Sequence, residues 1–515
     1  MRRRILIAAF VLIAALVAIR AAVVASRLPE AITAAEFERM RPEPNRQRAF
    51  LHRMPKGGDL HTHLSGAVYA ERLIAWAIKD GLCLDPAAMN ILSPPADASA
   101  EKPCGADPKI VPIADAVAGW RGQTTFDLLV DALSLRWFVP TPQVPSGHDQ
   151  FFASFSKFNP AAGGPDWTRT LERTAEMTVD QLRQYRADNV QYAELMVTLL
   201  EGEDRRRLGQ AIGTERDPKA MLAALDQAGM ADVVRRRVAD IKALVARVEA
   251  LRGCSADATR PGCGVDFRYI AQVNRNGAPA EVFAQTAVSA ALVRALPDIV
   301  AGFNYVGPED YRTARQDYRT HMKWIGFLAG KDVPVALHAG ELWIGLVPPP
   351  DLDFHIREAV ETAGARRIGH GTAIGFERDM DGLLAELKAR GVAIEIALTS
   401  SDVILGVRDR RHPIRTYLSA GVPVTLATDD AGVSRIDLTN EYLRASQDHG
   451  LGYRRLKGFA HTAIDKAFLP PPEKARQRSR LDAAFAVFEQ EVTDSLPLKA
   501  RIAAFFRALV GAGGR

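Results

Sequence analysis

Eight short runs of strand-forming residues alternate with helix-patterned segments, and that alternation constrains the fold more than any other feature of the chain. The first run ends at His61 and His63 inside MPKGGDLHTHLSG (54–66). The others are 189–197, 265–275, 298–307, 333–341, 367–374, 392–400 and 423–430, with helical patterns at 279–296, 311–329, 353–363, 380–390 and 413–420. Near-continuous apolar strands that take turns with helices read as parallel strands covered on both faces. Eight such units make an α/β chain of the closed (β/α)8 TIM-type barrel, whose chemistry collects at the C-terminal ends of the strands. An open doubly wound sheet would carry a glycine-rich phosphate loop after an early strand, and the sequence has none.

Around this barrel, assigned to 54–450, the chain divides further. Residues 27–53 read as a helical lead-in, with LPEAITAAEFERMR placing Pro near a helix start. After the helical pattern at 69–80 the interval to the second strand is too long for a crossover. It reads as a Pro/Ala-rich insertion at 81–150, with helices at 126–137, 151–158 and 167–186. Residues 451–515 read as C-terminal helices packed on the barrel, interrupted at Pro470-Pro471-Pro472.

Met1-Arg-Arg-Arg4, the apolar run 5–19 and the small residues up to Ser26 fit a secretory signal at 1–26. An uncleaved membrane anchor through residues 5–25, with Arg20 reaching to the interface, is the other reading. The expectation is export to the periplasm or beyond, or anchorage facing outside. The net charge of +5 owes four positives to Arg2, Arg3, Arg4 and Arg20, so the rest of the chain is close to neutral. The Arg runs beginning at Arg205 and Arg235 read as solvated helix faces, and no basic stretch is interleaved with stacking aromatics, which argues against a nucleic-acid partner. The cysteines, Cys83, Cys104, Cys254 and Cys263, lack Cys-x-x-Cys spacing. In an exported chain they suggest disulfides, and proximity favours Cys83 with Cys104 and Cys254 with Cys263 among the three connectivities.

The chemistry-bearing residues recur at the strand ends. His61 and His63 leave one face of a strand, being two residues apart. His338 and Glu341 end HAGE, His370 ends IGH, and Asp429 and Asp430 end ATDD. Three imidazoles and a carboxylate, His61, His63, His338 and Asp429, suit one Zn2+ with a position left open, at about 2.0–2.1 Å per nitrogen. His370 is placed to take a proton from the attacking water, Glu341 to act as an acid kept protonated by burial, and Asp430 to hydrogen-bond a ring nitrogen. The other seven histidines receive no role.

MPKGGDLHTHLSGA, GFNYVGPED, LHAGE, RIGHG, HPIRTYLSAGVPVTLATDDAG and LKGFAHTAIDKAFL together resemble the adenosine deaminase family of metal-dependent hydrolases, and among them the secreted adenosine deaminase-related growth factors. The resemblance implies a barrel with one zinc that converts the 6-amino group of a purine nucleoside into the 6-oxo product and ammonia. It implies that His61, His63, His338 and Asp429 hold the metal, that Glu341 protonates purine N1 and that His370 orients the attacking hydroxide. It further implies contacts of Asp430 with N7 and of the Gly307 N–H with N3. The family commonly carries an acidic, sugar-facing residue where this chain has Ser65, and CPTSN-type and ATDDP-type segments where it has Ala397–Ser401 and Ala431. Adenosine and 2′-deoxyadenosine are the first substrates, with adenine or a modified adenosine behind them. A non-catalytic nucleoside-binding or signalling protein on the same barrel and a two-metal cyclic amidohydrolase are the alternatives. The insertion is a candidate surface for homodimer formation.

Overall fold

The computed structural model describes residues 28–164 and 166–503. The leader-like segment 1–26 lies outside them, and no helix among the described residues is long and apolar enough to cross a membrane.

Eight parallel strands form the centre: β1 (Gly58–His63), β2 (Tyr192–Val197), β3 (Asp266–Asn274), β4 (Val300–Val306), β5 (Ala336–Ala339), β6 (Arg367–His370), β7 (Ala393–Ile396) and β8 (Val424–Leu426). They pair as two four-stranded sheets, β1 to β4 and β5 to β8, each in sequence order. The sheets meet at a bridge between Phe303 and Val335 on one side and between Thr62 and Asp429 on the other. At the second seam the His63 N–H donates to Asp429 O at 3.0 Å and the Asp429 N–H to His61 O at 2.9 Å, so the ring closes at the functional residues themselves. Strands β2 and β4 to β8 are buried along almost their whole length, as strands under a helical coat must be.

The coat follows the expected alternation, with helices at Pro279–Ala295, Arg312–Ala329, His355–Glu361, Met380–Arg390 and Ile414–Ala420. Between β2 and β3 lie three helices, Gly202–Ile212, Pro218–Gln227 and Met230–Arg252. The Arg runs are solvated, as read, at Arg206, Arg207, Arg235 and Arg236, which are exposed, but not at Arg205 and Arg237. Arg237 is buried against Glu201 (3.2 Å) and Asp240 (3.3 Å) and lies over the Trp167 ring, and Arg205 pairs with Glu281 at 3.0 Å.

Strands six and seven are shorter than the sequence suggests. After His370 the chain enters a 3-10 turn at Thr372–Phe376, and after Ile396 a helix at Leu398–Leu405. The first residues of both segments, 372–374 and 398–401, stay buried, so they continue the strand pattern although the backbone has already turned.

The insertion holds a small antiparallel sheet, Cys83–Asp85 with Asn90–Leu92 and Val111–Pro112, followed by helices at Gln123–Ala132 and Gly147–Ala162. The helix expected at 126–137 therefore stops early, with Trp137 at a φ of 49°. The helix expected at 151–158 is longer, and starts where the Ser146 side chain accepts from the Asp149 N–H. Both disulfides favoured by proximity are present, Cys83–Cys104 and Cys254–Cys263. Lys56 of MPKGG is fully buried, and its Nζ donates to Leu51 O (2.8 Å) and Asp188 O (2.7 Å), which ties the lead-in to the foot of the barrel.

Candidate active site

At the C-terminal rim four donor groups from three parts of the chain converge. His63 Nε2 lies 3.1 Å from His338 Nε2 and 3.3 Å from Asp429 Oδ1, and His61 Nε2 lies 3.4 Å from the same oxygen. Tetrahedral ligands about 2.05 Å from one cation are about 3.3 Å apart, so these separations are those of a ligand set around one zinc-sized ion. The donor chemistry agrees. His61 Nε2 and Asp429 Oδ1 are buried without any hydrogen-bond partner, an arrangement that costs free energy unless something cationic sits between them.

The far atom of three of the four groups is committed elsewhere, which leaves the near atom for the metal. His61 Nδ1–H donates to Glu395 Oε2 at 2.8 Å, His338 Nδ1–H to Asn304 Oδ1 at 3.0 Å, and Ser400 Oγ–H to Asp429 Oδ2 at 2.7 Å. Glu395 is itself held by Arg367, which also binds Glu194 at 2.5 Å in the barrel interior. Such outer partners fix the imidazole tautomer and ring orientation. Space is equally constrained: a methyl on Gly369 of RIGHG would lie 2.5 Å from His61 Cε1.

His370 and Glu341 stand beside this set, with His370 Nε2 3.6 Å from Glu341 Oε1 and both imidazole nitrogens lacking a partner. Burial holds the His370 imidazole down to about 4, against the pull of the Asp429 carboxylate. Burial, then the neighbouring Asp429 and Glu309 carboxylates, pushes Glu341 well above the usual carboxyl range. Asp430 is pushed up in the same way by burial and by Asp429. The site thus offers an imidazole that is neutral at neutral pH beside two carboxyls whose ionisation burial disfavours. His370 and Asp429 both hold positive φ, 65° and 58°, a backbone conformation that costs energy in non-glycine residues and gathers at functional sites.

The site opens into a cavity of about 450 Å³, within the size range of small-molecule sites. Ser65, Gly307, Glu341 and Asp430 face it, together with His63, His338 and Asp429. All the candidate residues are therefore at one rim except His61 and His370, which lie buried just behind. One wall was not anticipated: Phe151, Phe152 and Phe155 of the helix Gly147–Ala162, with Tyr311 nearby. Gln272, Asn274, Asn276 and Arg205 add a polar part to the lining. Sequence reasoning also passed over Asn304, Ser400 and Glu395. A lone glutamate inside the apolar run VAIEIA is the signal that points to the last of these.

A sequence profile of the family described as adenosine deaminase matches residues 149–484. The chain belongs to the adenosine deaminase family. Its first strand, with His61 and His63, lies ahead of the matched residues, and the parallel pairing of β1 brings that pair beside His338 and Asp429. An aminodeoxyfutalosine deaminase from Streptomyces coelicolor is 33% identical over 196 residues, 38% of this chain and 47% of the relative. An adenosine deaminase from Enterococcus faecalis is 33% identical over 154 residues, 30% of this chain and 42% of the relative. The match thus spans less than half the length of these curated relatives. Among solved structures, an amidohydrolase from Burkholderia ambifaria with bound Zn aligns with a TM-score of 0.51 and 20% identity, over 87% of this chain and 95% of that one. This likeness shows the barrel fold.

Proposed function

We propose that the chain is a zinc-dependent hydrolase that removes the 6-amino group of adenosine, 2′-deoxyadenosine or a close relative as ammonia. The observation that carries this reading is the placement of Glu341 on the cavity beside the four-donor set, with His370 Nε2 3.6 Å from its Oε1. Family membership and the named activities of the two curated relatives support it, as does the bound Zn of the amidohydrolase.

The metal, when bound by His61, His63, His338 and Asp429, supplies an activated water at neutral pH. The chain's own residues do the rest. The Gly307 N–H donates to N3 and the protonated Asp430 to N7, which fixes the base in its plane. Glu341 gives its proton to N1, drawing electrons from C6. His370 takes a proton from the water that adds to C6 and returns it to the departing amino nitrogen. The tetrahedral carbon then collapses to the 6-oxo purine: the C–N bond breaks, the C6 hydroxyl gives up its proton, which restores the carboxyl of Glu341 directly or through solvent, and N1 keeps the proton it received. The sugar would extend toward Ser65 and the phenylalanine wall, a surface without a carboxylate.

We also place this activity outside the cytoplasm, on the leader-like composition of residues 1–26 and the two disulfides. The deciding assay follows ammonia release from adenosine by zinc-reconstituted protein, with adenine and aminodeoxyfutalosine in parallel. Turnover of adenosine is the expected result, and no ammonia from any of the three would reject the assignment.

A further inference from the structure

Behind the site lies a buried charged group that the proposed reaction does not use. Glu309, from the GFNYVGPED stretch, is essentially inaccessible. Its Oε1 accepts the Gly340 N–H at 3.1 Å and lies 2.6 Å from His355 Nδ1, while its Oε2 accepts the Glu341 N–H at 2.8 Å. Arg275, also buried, donates through Nη2 to His338 O at 3.2 Å and to Tyr305 O at 2.8 Å. Its Nη1 lies 3.9 Å from Glu309 Oε1. The tetrapeptide His338–Glu341 is thus gripped at both ends by one carboxylate and one guanidinium.

That grip is not needed for strand pairing. Strand β5 ends at Ala339, and Gly340 turns the chain with a φ of 72°. Gly340 and Glu341 are buried, so their N–H groups depend on Glu309 for an acceptor. A buried carboxylate that spends both oxygens on main-chain donors is a costly arrangement, and charge-assisted bonds of this kind hold geometry more firmly than neutral ones. His355 supports it from behind: its ring stacks on Tyr318 with centroids 3.8 Å apart, and the Tyr318 hydroxyl donates to His355 O at 2.8 Å.

We propose that Glu309 is a positioning residue that, with Arg275 and His355, fixes the main chain of Gly340–Glu341 so that the Glu341 carboxyl points at the reacting ring nitrogen. The claim rests on the deaminase reading for its catalytic consequence, but the fixation itself is independent of that reading. Glu309→Gln is the direct test, because the amide puts a donor where one main-chain N–H now finds an acceptor.

The experiment measures amide hydrogen exchange and steady-state kinetics on the full, metal-reconstituted chain. In Glu309→Gln the peptide covering 339–342 exchanges at least about tenfold faster while the rest of the barrel is unchanged, a local opening rather than global destabilisation. kcat for ammonia release falls about tenfold or more, KM stays within about twofold, and metal content is unaltered. Glu309→Asp, which keeps the anionic acceptor, recovers part of both effects. If Glu309→Gln does not accumulate as folded protein, His355→Asn gives the same readout, with a smaller effect of the same sign. Unchanged exchange at 339–342, or a loss of kcat that simply follows metal loss, overturns the proposal. Inactivity of the unsubstituted chain would instead reject the deaminase reading and leave the exchange result to decide this one.

Discussion

Glu395 accepts the Nδ1 hydrogen of His61 at 2.8 Å, so a carboxylate deep in the barrel decides which nitrogen of a rim histidine is free for a metal. The consequence reaches further, because Glu395 is anchored by Arg367, and Arg367 by Glu194 on the far side of the ring. Three buried charges thus connect the barrel interior to the ligand set.

Glu395→Gln keeps the shape of this connection and removes its charge. The expected outcome is a loss of metal affinity of about 10- to 100-fold, the usual cost of altering a ligand's outer partner. Competition titration against a chromogenic chelator measures it, and affinity equal to that of the parent chain would show that His61 does not depend on this contact.

The acid is tested separately from the metal. Glu341→Gln retains a hydrogen-bond donor but no transferable proton, so ammonia release is expected to fall by about 10²- to 10⁴-fold. Metal content by elemental analysis should stay the same, since Glu341 is outside the four-donor set.

The pH dependence follows from the two flanking groups. His370 must be neutral to accept a proton, and burial holds it down to about 4, so kcat/KM rises with pH through that region and then levels. Glu341 must be protonated to donate, and burial together with Asp429 and Glu309 raises it, so the rate declines again only where this carboxyl ionises, above the usual carboxyl range. In Glu341→Gln the residual rate should lose the alkaline limb and keep the acid one. A residual profile that still falls on the alkaline side would remove Glu341 from the assignment.

Much of this site is legible in the sequence because the residues that carry it stand where strands stop. His61 and His63 show their common face through period-two spacing, and His338, His370 and Asp429 each end an apolar run. Other parts are hidden for physical reasons. The sheet at Cys83–Asp85, Asn90–Leu92 and Val111–Pro112 is built from strands too short to display any period. The ends of β6 and β7 are blurred because His370 turns at positive φ and residues 398–401 remain buried at the start of a helix. The role of Phe151, Phe152 and Phe155 depends on how a helix docks over the rim, which local pattern does not encode. Glu309, Asn304 and Ser400 act on the backbone or on other side chains, so their motifs are visible while their purpose is not.

Gly369→Ala probes packing around the ligands. The added methyl would meet the His61 ring at 2.5 Å, on a strand with no room to retreat. Overpacking of this kind costs about 1–3 kcal/mol, and here it falls on a metal ligand. A lowered melting temperature and a metal content below one per chain are expected together, with excess zinc restoring part of the stability by mass action. A variant that melts and loads like the parent would show that the His61 ring can shift freely.

On the proposed reading, Ser65 is expected to bear on substrate discrimination. Ser65 offers a neutral hydroxyl to a cavity that three phenylalanines and the amides Gln272, Asn274 and Asn276 also line. A neutral hydrogen bond contributes about 0.5–1.5 kcal/mol net and one to a charged group about 1.5–3 kcal/mol. Loss of a single sugar hydroxyl should then cost no more than about tenfold in kcat/KM, which is about 1.4 kcal/mol, so adenosine and 2′-deoxyadenosine are expected to fall within that range of each other. Ser65→Asp should widen the preference for adenosine through KM, leaving kcat near the parent value. A parent enzyme that already separates the two nucleosides by a hundredfold would mean that another group, with Arg205 the first to examine, reads the sugar.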